Sequence, residues 1–339
     1  MPNTKTNPTS TLTAAMVICL STLVSLMPSM AAAQSTALSD KQGPVLIGIL
    51  TRAFGNVPMA DGLTLGLTEL GYDEFADFVI GTRFTSGDNA ALPAVGKELL
   101  MSGADILIGI GTAATQALSQ ATDEKPILFL SVSDPIGASL VESFARPGGN
   151  VTGIVNDETS LDIRRFELFM SLAPHAKQIL YPLDKNSEDP SRLPRLQELA
   201  KANKVELIDR HLESMDAAEQ YFNTIDHEPI DGIYMTSAIE NNIIGFALDS
   251  AAKHGIPAVF PASEYAADLG GLASYGSSYF ESGRQLARLV QKIINGQKPA
   301  NIPVEVDRFF ELVVNLKAAN DMGVQISPEI LFKADKVIR

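Results

Sequence analysis

The stretch that decides the fold spans residues 126–155 and reads PILFLSVSDPIGASLVESFARPGGNVTGIV. It opens with an apolar run, Ile127 to Leu130, whose length is typical of a buried strand rather than a helix. An Asp-Pro pair then supplies a side-chain acceptor and a residue without an N–H, which predicts a helix from Asp134 to about Phe144. The turn at residues 146–149, Arg-Pro-Gly-Gly, ends that helix, and residues 151–155 predict a second strand.

The same alternation of strand and helix runs along most of the chain. It begins near residue 45, and it restarts after the extended segment at residues 151–155. Strands that alternate with helices favour a parallel sheet with both faces covered. Two such runs of similar length predict an α/β protein made of two doubly wound parallel-sheet lobes.

Composition excludes several classes of protein. The chain has 339 residues, of which 45% are hydrophobic, enough for two buried cores. Its formal net charge is −14 and it has no basic patch, so we expect no nucleic-acid partner.

The amino terminus has the features of a secretory signal. Lys5 precedes an apolar stretch, Leu12 to Met27, and small residues then lead to a predicted cleavage site after Ala33. An uncleaved membrane anchor is the alternative, but the apolar run is short for a span. Cleavage would remove Cys19, the one cysteine, so we expect a soluble periplasmic protein without a disulfide.

Three stretches carry a family resemblance. They are VSDPIGASLV at residues 132–141, ARPGGNVTG at 145–153, and a carboxy-terminal region with FELVVNLK at 310–317 and ADKVI at 334–338. These sequences closely resemble those of the ABC-transporter substrate-binding family that includes tryptophan- and tyrosine-type binding proteins. The resemblance implies the type I periplasmic-binding-protein fold, in which three chain segments form a hinge between the lobes.

Mapping that fold onto the chain gives predicted boundaries. They are a signal peptide at 1–33, a linker at 34–44, a first lobe at 45–153 plus 277–304, and a second lobe at 154–276 plus 305–339.

No catalytic constellation is apparent, so we expect no enzyme. The four histidines, which have no metal-ligand spacing, are His175, His211, His227 and His254. The glycines form neither a phosphate loop with its lysine nor a complete dinucleotide fingerprint. We therefore expect no metal and no cofactor.

Loops that follow the first-lobe strands are the candidate ligand contacts, because such loops meet at one edge of a parallel sheet. Arg52 would pair with a carboxylate or be simply exposed, and Phe54 would stack on the ligand or fill the lobe surface. Small residues and free N–H groups after the third strand, at Thr112 and Ala113, suit a carboxylate, although Thr112 would also serve as an ordinary cap. Ser133 and Asp134 end the next strand, and capping alone would explain Asp134.

The second lobe offers a loop similar to one that meets the amino and carboxylate groups in aromatic-amino-acid binders. Its candidate contacts are Asn186, Ser187 and Glu188, in a loop that is longer here than in that pattern. Ser237 and Glu264 follow later strands and complete the predicted rim. Small hydroxyl and backbone donors dominate, which favours a small polar or zwitterionic ligand.

These features together predict a periplasmic solute-binding protein of an ABC importer. It would be a monomer that captures a small organic solute and presents it to a membrane permease. The candidate solute is an amino acid, and in particular an aromatic amino acid. The alternative is a ligand-sensing protein that presents its solute to a signalling receptor.

Overall fold

The computed structural model describes residues 37–52, 58–184, 192–237 and 241–339. The predicted signal peptide at 1–33, Phe54 and the loop residues Asn186, Ser187 and Glu188 lie outside these ranges. The described strands are β1 (Val45–Thr51), β2 (Phe78–Phe84), β3 (Ile106–Ile110), β4 (Ile127–Val132), β5 (Val151–Val155), β6 (Gln178–Asp184), β7 (Glu206–Leu212), β8 (Gly232–Tyr234), β9 (Ala258–Ala262), β10 (Ala273–Ser277), β11 (Glu305–Val306), β12 (Phe310–Asn315) and β13 (Lys336–Ile338). The described α-helices are α1 (Pro58–Glu69), α2 (Leu92–Met101), α3 (Thr112–Ala121), α4 (Glu158–Leu172), α5 (Arg192–Ala202), α6 (Met215–Asn223), α7 (Asn241–His254), α8 (Ser263–Ala267), α9 (Tyr279–Ile294), α10 (Leu316–Met322) and α11 (Pro328–Lys333).

The strands form two sheets. The first has the order β11-β5-β4-β3-β1-β2, and its strand pairs are all parallel. The second has the order β13-β12-β10-β9-β8-β6-β7 and is parallel except where β12 runs antiparallel to β10. In both sheets the first strand of the lobe lies inside the sheet, which is the doubly wound arrangement that the alternation predicts.

Helix α9 returns to the first sheet and completes its core. Its buried face, which includes Leu286, Leu289 and Val290, packs in the same cluster as β1, β3 and α1. Glycines allow α1 and α9 to touch along their backbones: a Cβ on Gly62 would lie 1.8 Å from the Phe280 carbonyl oxygen. This close contact holds α9, which follows β10 of the second sheet, against the first lobe.

The chain passes between the two sheets three times, directly after β5, β10 and β11. Each passage starts at the carboxyl end of a strand. The structure therefore has the three-segment hinge that the family resemblance implies.

The prediction of a helix from Asp134 to Phe144 is wrong. The segment forms a single tight turn, in which Ala138 N donates to Asp134 O at 3.0 Å and Leu140 N donates to Pro135 O at 2.9 Å. Ser139 has φ +58°, a left-handed conformation that ends helical winding. The Asp-Pro pair does initiate a turn, but no further helical turn is added.

Two short elements were not predicted. Helix α8 follows β9 directly, and β13 extends the second sheet beside β12. Both are brief segments that local sequence patterns define poorly, and tertiary contacts hold them in place. Among the described residues, none of the helices combines the length and the apolar character that crossing a bilayer requires.

Candidate functional site

The carboxyl ends of β1, β3 and β4 bring three of the predicted loops together. These strands are neighbours in the first sheet, so Arg52, Thr112 and Ser133 follow adjacent strands at one edge. Gly111 N donates to Leu130 O at 2.8 Å, which ties the end of β3 to the end of β4. On the other side, Thr85 N donates to Thr51 O at 3.2 Å and joins the loop after β2 to this edge.

The start of α3 lacks a side-chain cap. Gly111 is the N-cap, with φ +84° and ψ 165°, a conformation that favours glycine. Thr112 is the first helical residue, so the alternative that it acts as an ordinary cap is wrong. Ala113 follows it within α3, and both residues lie at the positive end of the helix dipole.

Ser133 and Asp134 are exposed at the end of β4. Asp134 Oδ1 accepts a hydrogen bond from Gly137 N at 2.8 Å and thereby stabilises the turn that replaces the predicted helix. Asp134 therefore caps a turn and not the predicted helix.

Three buried side-chain oxygens at this edge have no hydrogen-bond partner among the described residues. They are Thr85 Oγ1, Asn89 Oδ1 and Ser131 Oγ. Buried polar atoms are normally paired, so each of these oxygens is a candidate for contact with a ligand or with water. None of the three is among the residues predicted from the sequence.

In the second lobe, Glu264 supports the start of α9. Its Oε1 atom accepts hydrogen bonds from Tyr279 N at 2.9 Å and from Phe280 N at 3.4 Å. Burial raises the pKa of the Glu264 carboxyl, although these backbone bonds oppose the rise. Ser237 is half-buried after β8. Glu264 therefore has a structural role in the segment that connects β10 to α9.

A buried ionic cluster joins α4 to the start of α5. Asp162, on α4, contacts Arg165 Nη1 at 2.8 Å and Arg192 Nε at 2.7 Å. Asp162 is 2% exposed, Arg165 0% and Arg192 6%, so the whole cluster is removed from water. Arg192 begins α5, immediately after the loop predicted to contact the ligand. This cluster therefore ties the first residue of α5 to α4.

Arg165 also joins α4 to the strand ends of the second sheet. Its Nε donates to the Tyr275 carbonyl oxygen at 2.8 Å, and its Nη2 lies 3.4 Å from the Pro261 carbonyl oxygen. Tyr234 OH donates to the Asp162 carbonyl oxygen at 2.8 Å, and burial raises the Tyr234 pKa well above its usual value. The sequence offered a signal for the Asp162–Arg165 pair, since residues three apart on a helix are neighbours.

Hydrogen bonds connect the three passages of the hinge to one another. Asp307 N donates to Val155 O at 2.8 Å, and Ser278 N donates to Phe309 O at 2.9 Å. Asn156 Nδ2 donates to Ser277 Oγ at 3.2 Å. Because every passage leaves the carboxyl end of a strand, these bonds bring the carboxyl ends of the two sheets together at the hinge.

Asp307 is the charged centre of this network. Its Oδ2 accepts from Ser282 Oγ at 2.7 Å and its Oδ1 accepts from Phe309 N at 3.0 Å. Asp307 is 2% exposed, and burial raises its pKa. The described residues contain no group of three His, Cys, Asp or Glu side chains suited to a metal.

Comparison with known proteins agrees with this architecture. The sequence model of the ABC transporter substrate binding protein family matches residues 55–338. The chain belongs to this family. Its two lobes and three-segment hinge are those of type I periplasmic binding proteins.

Two of the proteins that resemble this substrate-binding protein are named for an aromatic amino acid or were crystallised with one. A tyrosine-binding protein from Clostridioides difficile (strain R20291) is 27% identical over 272 residues, covering 78% of this chain and 76% of the relative. A crystal structure of an ABC domain from Streptococcus pneumonia in complex with L-tryptophan is 27% identical, with a TM-score of 0.75, covering 87% of this chain and 100% of that one. A conserved domain protein from Vibrio cholerae is 26% identical, with a TM-score of 0.75, covering 86% and 99%.

Proposed function

We propose that this protein is the periplasmic solute-binding protein of an ABC importer and that its solute is an amino acid with an aromatic side chain. The observation that carries the proposal is the similarity to a domain crystallised with L-tryptophan, which this chain matches over the full length of that domain. The tyrosine-binding relative supports the same class of ligand. The protein binds its solute without transforming it and delivers it, as a monomer, to an inner-membrane permease.

The proposed ligand site lies between the carboxyl ends of the two sheets. From the first lobe, Arg52, the start of α3 at Thr112 and Ala113, and Ser133 would face the solute. From the second lobe, Ser237 and the loop before Arg192 would close over it. Closure about the hinge would exclude water, which strengthens each hydrogen bond to a zwitterionic solute.

The predicted lobe boundaries, 45–153 plus 277–304 and 154–276 plus 305–339, remain part of this proposal. The proposal also includes secretion, with cleavage of the signal peptide after Ala33. Amino-terminal sequencing of the protein recovered from the periplasm tests that route, and we expect the mature chain to begin at Gln34.

The ligand can be tested by titration of protein that has been unfolded, dialysed and refolded to remove any bound solute. We expect isothermal titration to show saturable heat with L-tryptophan or L-tyrosine and none with acidic amino acids. Because the chain contains no tryptophan, the fluorescence of bound L-tryptophan can be followed without a protein tryptophan signal. Absence of binding to every member of an amino-acid panel would refute the amino-acid assignment.

A further inference from the structure

Ser131 occupies an irregular position in β4. Along the pairing of β4 with β5, Phe129 faces Gly153 and Val132 faces Val155, so β4 contains one more residue than β5 between these pairs. Such an extra residue is a β-bulge, and bulges frequently redirect a side chain beside a functional site.

The backbone of Ser131 is in a disfavoured conformation. Its φ is +59°, in the left-handed region that suits glycine and disfavours residues with a Cβ. Glycine would form this bulge with less strain, so the presence of a serine at this position requires an explanation. Strained backbone of this kind occurs often at binding sites, where the surrounding structure maintains it.

The side chain of Ser131 is also unusual. Its Oγ atom is buried and has no hydrogen-bond partner among the described residues, although a hydroxyl can both donate and accept. The residue before it, Leu130, accepts the hydrogen bond from Gly111 N at the start of α3. Ser131 therefore lies at the edge that carries the predicted ligand loops, one residue from the backbone carbonyl that bonds the N-cap of the ten-residue helix α3.

We infer that Ser131 is a solute-contacting residue whose hydroxyl hydrogen-bonds the charged head group of the bound amino acid. The inference rests on the proposed function and adds a residue that the sequence pattern did not indicate. A hydroxyl is suited to the ammonium and carboxylate that every amino acid presents, and it offers little to an aromatic side chain. The bulge explains the left-handed backbone of Ser131, because it would direct the hydroxyl towards this edge.

Replacement by glycine separates binding from folding. Ser131→Gly removes the hydroxyl and also relieves the left-handed strain, so we expect the variant to fold and to melt about 2 °C above the wild type. We expect its affinity for L-tryptophan or L-tyrosine to fall about tenfold or more, measured by isothermal titration. The loss should be of similar size for each amino acid that the wild type binds.

Ser139 provides a matched control. It also has a positive φ, +58°, but it is exposed in the turn after β4. Ser139→Gly should raise the melting temperature by a similar amount and leave the affinity unchanged.

The outcomes are distinguishable. If the wild type binds an amino acid and Ser131→Gly binds it equally well, the inference is overturned while the proposed function stands. If the loss appears for one amino acid and not for another, the head-group assignment is overturned. If the wild type binds no amino acid, the proposed function fails and the assignment of Ser131 to an amino-acid head group fails with it.

Discussion

At the scale of single residues, Glu264 shows how a side chain predicted at the ligand rim also supports the hinge. The sequence predicts it as a rim residue, and the structure places its carboxylate against the first backbone N–H groups of α9. A carboxylate at a helix amino terminus is favoured by the helix dipole, but burial of the charge opposes this gain. The raised pKa of Glu264 shows that burial has the larger effect.

Glu264→Gln should therefore change the pH dependence of stability. The folded-state pKa of Glu264 lies above its ordinary value of 4.5, so folding favours the protonated form. The resulting contribution to stability is fully present below the unfolded pKa and is lost as pH rises through the folded pKa. We expect the free energy of unfolding of the wild type, relative to the Gln variant, to increase as pH falls from 7 to about 4.

Urea unfolding at several pH values measures this difference. Glu329→Gln, at an exposed position in the first turn of α11, is the comparison for loss of one carboxylate charge without burial. A difference for Glu264→Gln that grew in the opposite direction would contradict the pKa assignment.

At the scale of elements, the contact between α1 and α9 depends on glycines. A Cβ on Gly283 would lie 2.1 Å from the Met59 carbonyl oxygen, and that atom belongs to backbone that cannot move without shifting α1. The same is true of Gly62 against Phe280. These glycines set the distance between the two helices.

Gly283→Ala should thus destabilise the protein by about 3 kcal/mol or more, because the helices must separate. Gly245→Ala in α7 is the matched control: its Cβ would meet no atom within 4 Å, and alanine has the higher helix propensity. We expect Gly245→Ala to be neutral or to stabilise by up to about 1 kcal/mol. Denaturant unfolding measures both changes, and equal effects would contradict the packing argument.

The buried cluster on α4 gives a second prediction at this scale. Asp162→Asn removes the carboxylate shared by Arg165 and Arg192, and breaking a buried ion pair costs about 3–5 kcal/mol. The exposed Arg83–Glu98 pair provides the comparison, since Glu98→Gln should cost less than about 1 kcal/mol.

Coupling within the cluster can be measured with Arg165→Met. The double variant Asp162→Asn/Arg165→Met should be less destabilised than the sum of the two single variants, because the second change removes a guanidinium left without its carboxylate. Strict additivity of the two unfolding free energies would show that the residues act independently.

At the scale of the whole molecule, the hinge joins two sheets whose strands pair only within each sheet. Its bonds connect all three passages, with Asp307 bound to Ser282 and to Phe309 N. Hinge segments of this kind hold the lobes together while allowing rotation about a few backbone positions.

Asp307→Ala should leave Ser282 Oγ with fewer acceptors and Phe309 N without its acceptor, at a cost of about 1–3 kcal/mol for each stranded group. We expect a lower free energy of unfolding in urea and faster amide hydrogen exchange at residues 307–309. Asp335→Ala is the control, since Asp335 also accepts from a backbone N–H, that of Leu312, but is exposed. Equal losses for both variants would contradict a special role for the hinge carboxylate.

Much of this architecture follows from local patterns in the sequence. An apolar run at residues 127–130 predicts β4, and the extended segment predicted at residues 151–155 is β5. The family motifs at 132–141 and 145–153 predict the hinge and the class of function. The hinge agrees with the observed sheets, and the class of function agrees with the family match. Patterns of this kind are determined by neighbours along the chain, because backbone hydrogen bonding in helices and the alternation of strands are local.

Tertiary structure decided the features that depend on residues far apart in sequence. The segment after Asp134 has a sequence compatible with a helix, but it forms one turn, with Ser139 in a left-handed conformation. Glu264 reaches the start of α9, and Asp162 meets Arg192 thirty positions along the chain. The strain at Ser131 arises from its register against β5. Each of these depends on which strand or helix packs alongside, and burial then determines whether a charge or a hydroxyl finds a partner. The sequence by itself therefore determined most of the elements and the family, whereas packing between elements determined which polar groups support the hinge.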